Sequence, residues 1–187
     1  MISVDGVSVQ DRDLLTRLTL YFQSLDTRLR EGQGWFIFNA DRSRASRIAR
    51  FVLDRLAERR PFISYYHVPW RDFALNAYMS RVELPTAVAL PRGPGTEYDL
   101  AGRISRDQFE QMRATDVLVL VGLRPEHRYE IEHLEAIMSV RFARGLASIV
   151  VTPHEPHQLM DAYTAQGAEA TWRKLYDEVY RASLIAL

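Results

Sequence analysis

Residues 112–153 read MRATDVLVLVGLRPEHRYEIEHLEAIMSVRFARGLASIVVTP, and this stretch decides the fold class. Val117-Leu-Val-Leu-Val121 is a solid apolar block with no polar alternation, the pattern of a strand covered on both faces. Between Glu126 and Arg144, the residues Ile131, Leu134, Ile137, Met138 and Phe142 recur at helical spacing, and Gly145 supplies the stop. Ser148 to Val151 is a second apolar block. A buried strand, a helix and another buried strand make a unit of parallel sheet.

The same texture extends upstream. Leu14, Leu15, Leu18, Phe22, Leu25 and Leu29 predict one apolar helix face over residues 11–30. Trp35 to Phe38 is a further buried strand, and Asp41 or Ser43 can cap a helix carrying Ile48, Phe51, Val52 and Leu56 up to Arg59. Phe62 to Val68 is aromatic and strand-like, and Arg71 to Arg81 is a short amphipathic segment. Pro85, Pro91, Gly93, Pro94 and Gly95 make residues 82–102 an irregular insertion, with a hairpin through Thr86 to Leu90 as one option. Helices are expected over Arg106 to Arg113, His157 to Tyr163 and Trp172 to Arg181, before a final Leu184-Ile-Ala-Leu187. The fold class is therefore α/β, a three-layer sandwich around a mostly parallel sheet.

Composition sets the outer limits. At 187 residues the chain fits a single domain, residues 1–187, since domains run to roughly 100–200 residues. Hydrophobic residues at 47% and charged residues at 26% exclude a disordered or fibrous chain. Twenty-four basic residues balance twenty-four acidic ones, so any affinity for nucleic acid must come from a local patch. The absence of cysteine removes disulfides, thiolate metal sites and cysteine nucleophiles together, and Lys174 is the only lysine. No apolar run reaches the ~18 residues of a membrane span, and MISVDGVSVQDRD lacks a basic-then-apolar leader, so a cytoplasmic protein with no membrane partner is expected.

A leading helix, the stretch GQGWFIFNA, a helix, a β-rich strand and then the 112–153 segment occur in an order that resembles the ATPase domain of DnaC-like helicase loaders. Those are AAA+ proteins related to the IstB transposition ATPases. The resemblance covers residues 12–187 and implies a P-loop NTPase-like, AAA+ core with a five-stranded sheet. It places a phosphate-binding loop at Asn39 to Ser46 and the Walker B stretch at Thr115 to Leu123. It also implies a helix ending in an arginine-containing segment, here Arg141, and a sensor strand at Ile149 to Pro153.

The departures from that pattern are specific. A P-loop of the form G-x-x-x-x-G-K-[ST] uses glycines to wrap backbone N–H groups around phosphates, a lysine to reach the terminal ones and a hydroxyl on magnesium. The corresponding residues are Asn39-Ala-Asp-Arg-Ser-Arg44-Ala45-Ser46, in which both glycines and the lysine are missing and only Ser46 fits. The Walker B aspartate becomes Val121 and its acidic neighbour Gly122; the sensor Thr-Asn becomes Thr152-Pro153. Asp116 starts the strand five residues before the expected aspartate, which puts it at the wrong end of the sheet. Arginines cannot organise Mg²⁺, which supplies several kcal/mol of transition-state stabilisation, so ATP or ADP binding stays open and hydrolysis is not expected. Asn39, Arg42, Ser43, Arg44 and Ser46 are the candidate nucleotide- or anion-binding residues; no catalytic residue, metal ligand or resident cofactor is assigned.

Other constellations carry less chemistry. Arg42, Arg44, Arg47, Arg50, Arg55, Arg59 and Arg60 form a basic run that would suit DNA phosphates, but Asp54 and Glu58 at helical spacing favour a solvated face. His154-Glu-Pro-His157 has the wrong spacing for a zinc helix and is broken by Pro156. Glu130-x-x-His133 has no second copy to complete a di-iron set. Ser43, Ser46 and Ser64 sit in no G-x-S-x-G elbow, and no G-x-G-x-x-G follows the first strand. Tyr65, Tyr66 and Trp70 read as core and rim packing, and Tyr98 and Arg103 flank the insertion as candidates for a partner-binding loop.

The expected function is a degenerate, non-hydrolysing, helicase-loader-like domain, similar to a primosome component, acting as an interaction or assembly module in DNA replication or transposition. Its expected partner is a replicative helicase or an active AAA+ paralogue, with DNA reachable through the arginine run. Two rival readings remain open: an active loader ATPase with Arg42, Arg44 and Ser46 at the phosphates, and a small-anion-binding α/β module at the same helix start.

Overall fold

The computed structural model describes residues 9–81 and 97–186. In chain order the elements are α1 (Val9–Gln23), α2 (Leu25–Arg30), β1 (Gly34–Ile37), α3 (Arg42–Glu58), β2 (Tyr65–Pro69), α4 (Trp70–Arg81), α5 (Glu97–Ala114), β3 (Val117–Val121), α6 (Arg128–Ala143), β4 (Ala147–Val151), α7 (Pro156–Ala165), α8 (Glu169–Ala182) and β5 (Ser183–Ala186). The strands form one five-stranded sheet in the order β2-β3-β4-β1-β5, and every pairing is parallel.

Both faces of this sheet are covered, which is why its central strands are solid apolar blocks. Trp35, Ile37, Val117, Val119, Ile149 and Val151 pack with α1, α2 and α3 through Leu14, Leu18, Leu25, Ile48 and Val52. Phe36, Phe38, Leu118, Leu120 and Val150 point the other way, into Phe73, Met112, Leu134, Leu159, Trp172 and Leu175 of the remaining helices. Each such side chain contributes roughly 1.5–3 kcal/mol by leaving water, so the sheet is the energetic centre of the fold.

Two expectations are corrected. The leading helix is not continuous over 11–30 but breaks at Ser24, whose hydroxyl bonds to the Leu20 carbonyl at 3.2 Å. Such back-bonding competes with the helix ladder. The irregular insertion does not reach residue 102: α5 begins at Glu97, so Tyr98 and Arg103 belong to a helix. Past Gly95 only Gly102 opposes helix formation, at a cost of about 1 kcal/mol. Residues 82–96, including the option of a hairpin at Thr86 to Leu90, lie outside the described residues.

The amino end of the sheet is tightly built. A Cβ on Gly34 would stand 1.9 Å from the Ser148 carbonyl oxygen, so the start of β1 admits no side chain beside β4. Arg141, in the last turn of α6, is fully buried there. Its guanidinium donates to Ser148 Oγ at 2.9 Å, to the Met112 carbonyl at 2.6 Å and to the Thr115 carbonyl at 3.0 Å, and also to the carbonyls of Asp116 and Ala147. Burial brings its pKa down to about 10, which leaves it charged at neutral pH. Asp116 sits at this same end, accepting from the Ser64 amide at 2.9 Å and the Ser64 hydroxyl at 2.6 Å. At the outer edge of β5, Arg17 donates to the Ile185 carbonyl at 3.0 Å while lying over the Trp35 ring.

Candidate functional site

The chain leaves β1 over one face of the sheet, through α3, and leaves β2, β3 and β4 over the other. Connections that diverge to opposite faces open a crevice at the carboxyl ends of the strands, where α/β proteins place ligands. The structure brings Asn39 to Ser46, Val121-Gly122 and Thr152-Pro153 together at this end. The amide of Gly122 donates to the Val151 carbonyl at 2.8 Å, and that of Thr152 to the Ile37 carbonyl at 2.9 Å. Thr152 is fully buried, and its hydroxyl donates to the Leu123 carbonyl at 2.7 Å, so it fastens the β3–α6 loop and does not face solvent.

The loop between β1 and α3 is a capped helix start. Asp41 is the N-cap: its carboxylate accepts from the Arg44 amide at 2.7 Å and from the Ser43 hydroxyl at 3.0 Å. The Arg44 amide first, and then the Ser43 hydroxyl, hold the Asp41 carboxyl below the ordinary carboxylate range. The Asn39 amide donates to the His154 carbonyl at 3.1 Å and the Ala40 amide to the Thr152 carbonyl at 2.9 Å. Two loop donors therefore bond to the turn that follows β4. Asn39 takes a left-handed φ of 56°, a conformation that asparagine tolerates better than most residues.

Of the candidate side chains, those of Ser43, Arg44 and Ser46 are engaged with different partners. Ser46 is exposed on the second turn of α3 and bonds back to the Arg42 carbonyl at 2.8 Å. Arg44 is buried, with Nε on Asp11 at 2.8 Å and Nη1 on the Asn39 carbonyl at 3.0 Å. Arg47 reaches the other Asp11 oxygen at 2.9 Å, so α1 is tied to the loop through one carboxylate. Gly122 follows β3 at φ 84°, a conformation that L side chains rarely adopt, so an acidic residue there would be strained. Among these residues Arg42 alone has a charged side chain that lines the crevice and carries no partner.

A groove of about 560 Å³ occupies the crevice. Arg42, Arg71 and Arg124 line it from three different elements, against Pro69, Trp70, Ala45 and Pro153. Trp70 and Arg71 open α4 directly from the end of β2; the sequence reads Trp70 as core and rim packing, and Trp70 is buried, while Arg71 reads only as the start of an amphipathic segment. The available signal was their position immediately after a strand, at the ligand-binding edge of an α/β sheet. Each helix that starts here also carries its own acid: Asp41 for α3, Asp72 for α4 and Glu130 for α6. Glu130 accepts from the amides of Glu126 at 2.8 Å and His127 at 3.2 Å, which commits it to capping.

The arginine run of α3 is largely neutralised. Besides Arg44 and Arg47, Arg50 lies 3.9 Å from Asp54, Arg55 lies 3.5 Å from Glu58, and Arg59 pairs with Asp26. Arg60 donates to the carbonyls of Ala57 and Arg59. His157 pairs with Glu155, and His133 contacts Ser80 Oγ at 2.9 Å. Among the described residues no helix is long and apolar enough to cross a membrane.

No family model and no curated protein matches this chain. Among solved structures it is similar to one described as "Crystal structure of the DnaC helicase loader", with a TM-score of 0.61 and 15% sequence identity over 97% of this chain and 92% of that one. A likeness at that identity is one of fold. In fold this chain is a five-stranded parallel α/β sandwich, similar to the structure of that helicase loader.

Proposed function

We propose that this chain is a non-hydrolysing helicase-loader-like domain, an interaction or assembly module for DNA replication or transposition. The observation that carries the reading is the bonding of the loop from Asn39 to Ser46. Phosphoryl transfer needs backbone donors and a bound metal cation aimed at the transferred group. Here the amides of Asn39, Ala40 and Arg44 are spent on protein acceptors, and the nearest acid, Asp41, is spent on the helix cap. On the resemblance drawn from the sequence, Val121 and Gly122 would take the places of the metal-organising pair, and neither carries a metal ligand. Such a domain can still hold a neighbour in place, because an interface requires shape and charge but no turnover.

On this reading the partner is a replicative helicase or an active AAA+ paralogue, in the cytoplasm, with no resident cofactor. The candidate residues Asn39, Arg42, Ser43, Arg44 and Ser46 then serve the local fold and its surface. No DNA contact is proposed from α3, since carboxylates already hold most of its guanidinium groups. The test is a turnover assay with ATP and magnesium beside thermal melts with ATP and ADP. No turnover is expected, and no magnesium-dependent shift, whereas a ligand at 100 times its Kd would add ~2.7 kcal/mol. Steady magnesium-dependent hydrolysis, abolished by Ser46→Ala, would overturn the reading.

A further inference from the structure

Most arginines in the described residues are bonded to a carboxylate or to backbone carbonyls. Arg42 and Arg71 are not, and both line the same groove at the carboxyl ends of the strands. Of the other charged groups there, Arg124 is 3.4 Å from Glu126, and Glu130 is held by backbone amides. Two guanidinium groups on separate elements are therefore left with their donors unused. Between them the walls are apolar, from Pro69, Trp70, Ala45 and Pro153. Its volume of about 560 Å³ falls within the roughly 300–1,000 Å³ range of ligand pockets.

We infer that this groove receives an acidic segment of a partner protein, with a carboxylate held between Arg42 and Arg71 and flanking apolar side chains against Trp70 and the prolines. The inference deepens the assembly-module reading and rests on it. A guanidinium offers a carboxylate two parallel N–H bonds, which fixes its orientation as well as its charge. A polyphosphate fits less well, because Asp41, Asp72 and Glu130 already neutralise the positive ends of the helices that open here. A peptide carboxylate brings one negative charge and apolar neighbours, which is what these walls and two cations match.

The experiment uses the full chain, labelled with ¹⁵N, and follows the side-chain Nε–H signals of Arg42 and Arg71. The probes are the peptide acetyl-Leu-Glu-Val-Glu-Leu-amide, its counterpart with Gln for Glu, ATP and inorganic phosphate. The acidic peptide is expected to move both signals and the Gln peptide neither. Arg42→Gln or Arg71→Gln is expected to weaken binding about tenfold, a change of ~1.4 kcal/mol. Arg144→Gln, beyond the other end of the sheet, should leave it unchanged. The inference is overturned if neither peptide moves the two signals, if both peptides move them equally, or if ATP or phosphate displaces the acidic peptide. A silent turnover assay together with a failed peptide titration removes this inference alone; hydrolysis of ATP removes the assembly reading with it.

Discussion

Arg141 and Arg42 hold the same guanidinium at opposite ends of one sheet and live by opposite rules. Arg141 is sealed among the starts of β3 and β4 and gives its donors to a serine hydroxyl and four carbonyls. Arg42 stands at the start of α3, beside an open groove, and its guanidinium has no bonded partner. The amino end is thus finished within the chain, down to a glycine with no space for a methyl group. The carboxyl end has committed the amides of Asn39, Ala40, Arg44 and Gly122 to protein acceptors but left two cations over. Burial with full bonding marks a charge that stabilises the fold; exposure beside apolar walls marks one available to something else.

The largest effect should come from the sealed end. Arg141→Met leaves buried carbonyls without donors, and unfolding by urea should show a loss of roughly 3–5 kcal/mol. Next comes Asp11→Asn, which removes the counter-charge of buried Arg44; a loss of roughly 1.5–3 kcal/mol is expected from the same titration. A smaller effect separates the groove arginines from both. Arg42→Gln and Arg71→Gln should leave the urea midpoint within about 0.5 kcal/mol of the parent, as substitutions of unbonded surface groups do. A large loss at either would erase the contrast between the two ends.

The subtlest prediction concerns pH. Asp41 has a lowered pKa in the folded chain, so its carboxylate contributes stability above the ordinary carboxylate value near 4. That contribution is lost as pH falls through the lower folded value. The gap in melting temperature between the parent and Asp41→Ala should therefore be constant above about pH 5 and shrink towards pH 2. A gap independent of pH would mean that the cap does not act through its charge.

The sheet was legible because its strands are contiguous apolar runs, as at Val117–Val121, and because a parallel sheet leaves no solvent face to dilute them. That residues 39–46 hold no glycine and no lysine was equally plain, while the cap stood between Asp41 and Ser43 until the structure gave it to Asp41. What local spacing could not report was long-range pairing. Arg44 reads as one of a row on a helix, yet its partner Asp11 is 33 residues away. Arg71 reads as an ordinary amphipathic position until β2 is placed at the edge of the sheet and α4 at its carboxyl end. The break at Ser24 was hidden for another reason: the apolar spacing continues across it, and only the serine hydroxyl competes.

The contact between Arg17 and the edge of β5 bears on how the protein survives crowding. A parallel sheet that ends in a bare strand invites further strands from other chains, the first step towards aggregation. At β5 an arriving strand would find the Ile185 carbonyl already occupied and would have to dislodge a guanidinium that also rests on Trp35. One side chain from the first helix thus works as a stopper, and the sheet cannot lengthen on that side without first loosening α1.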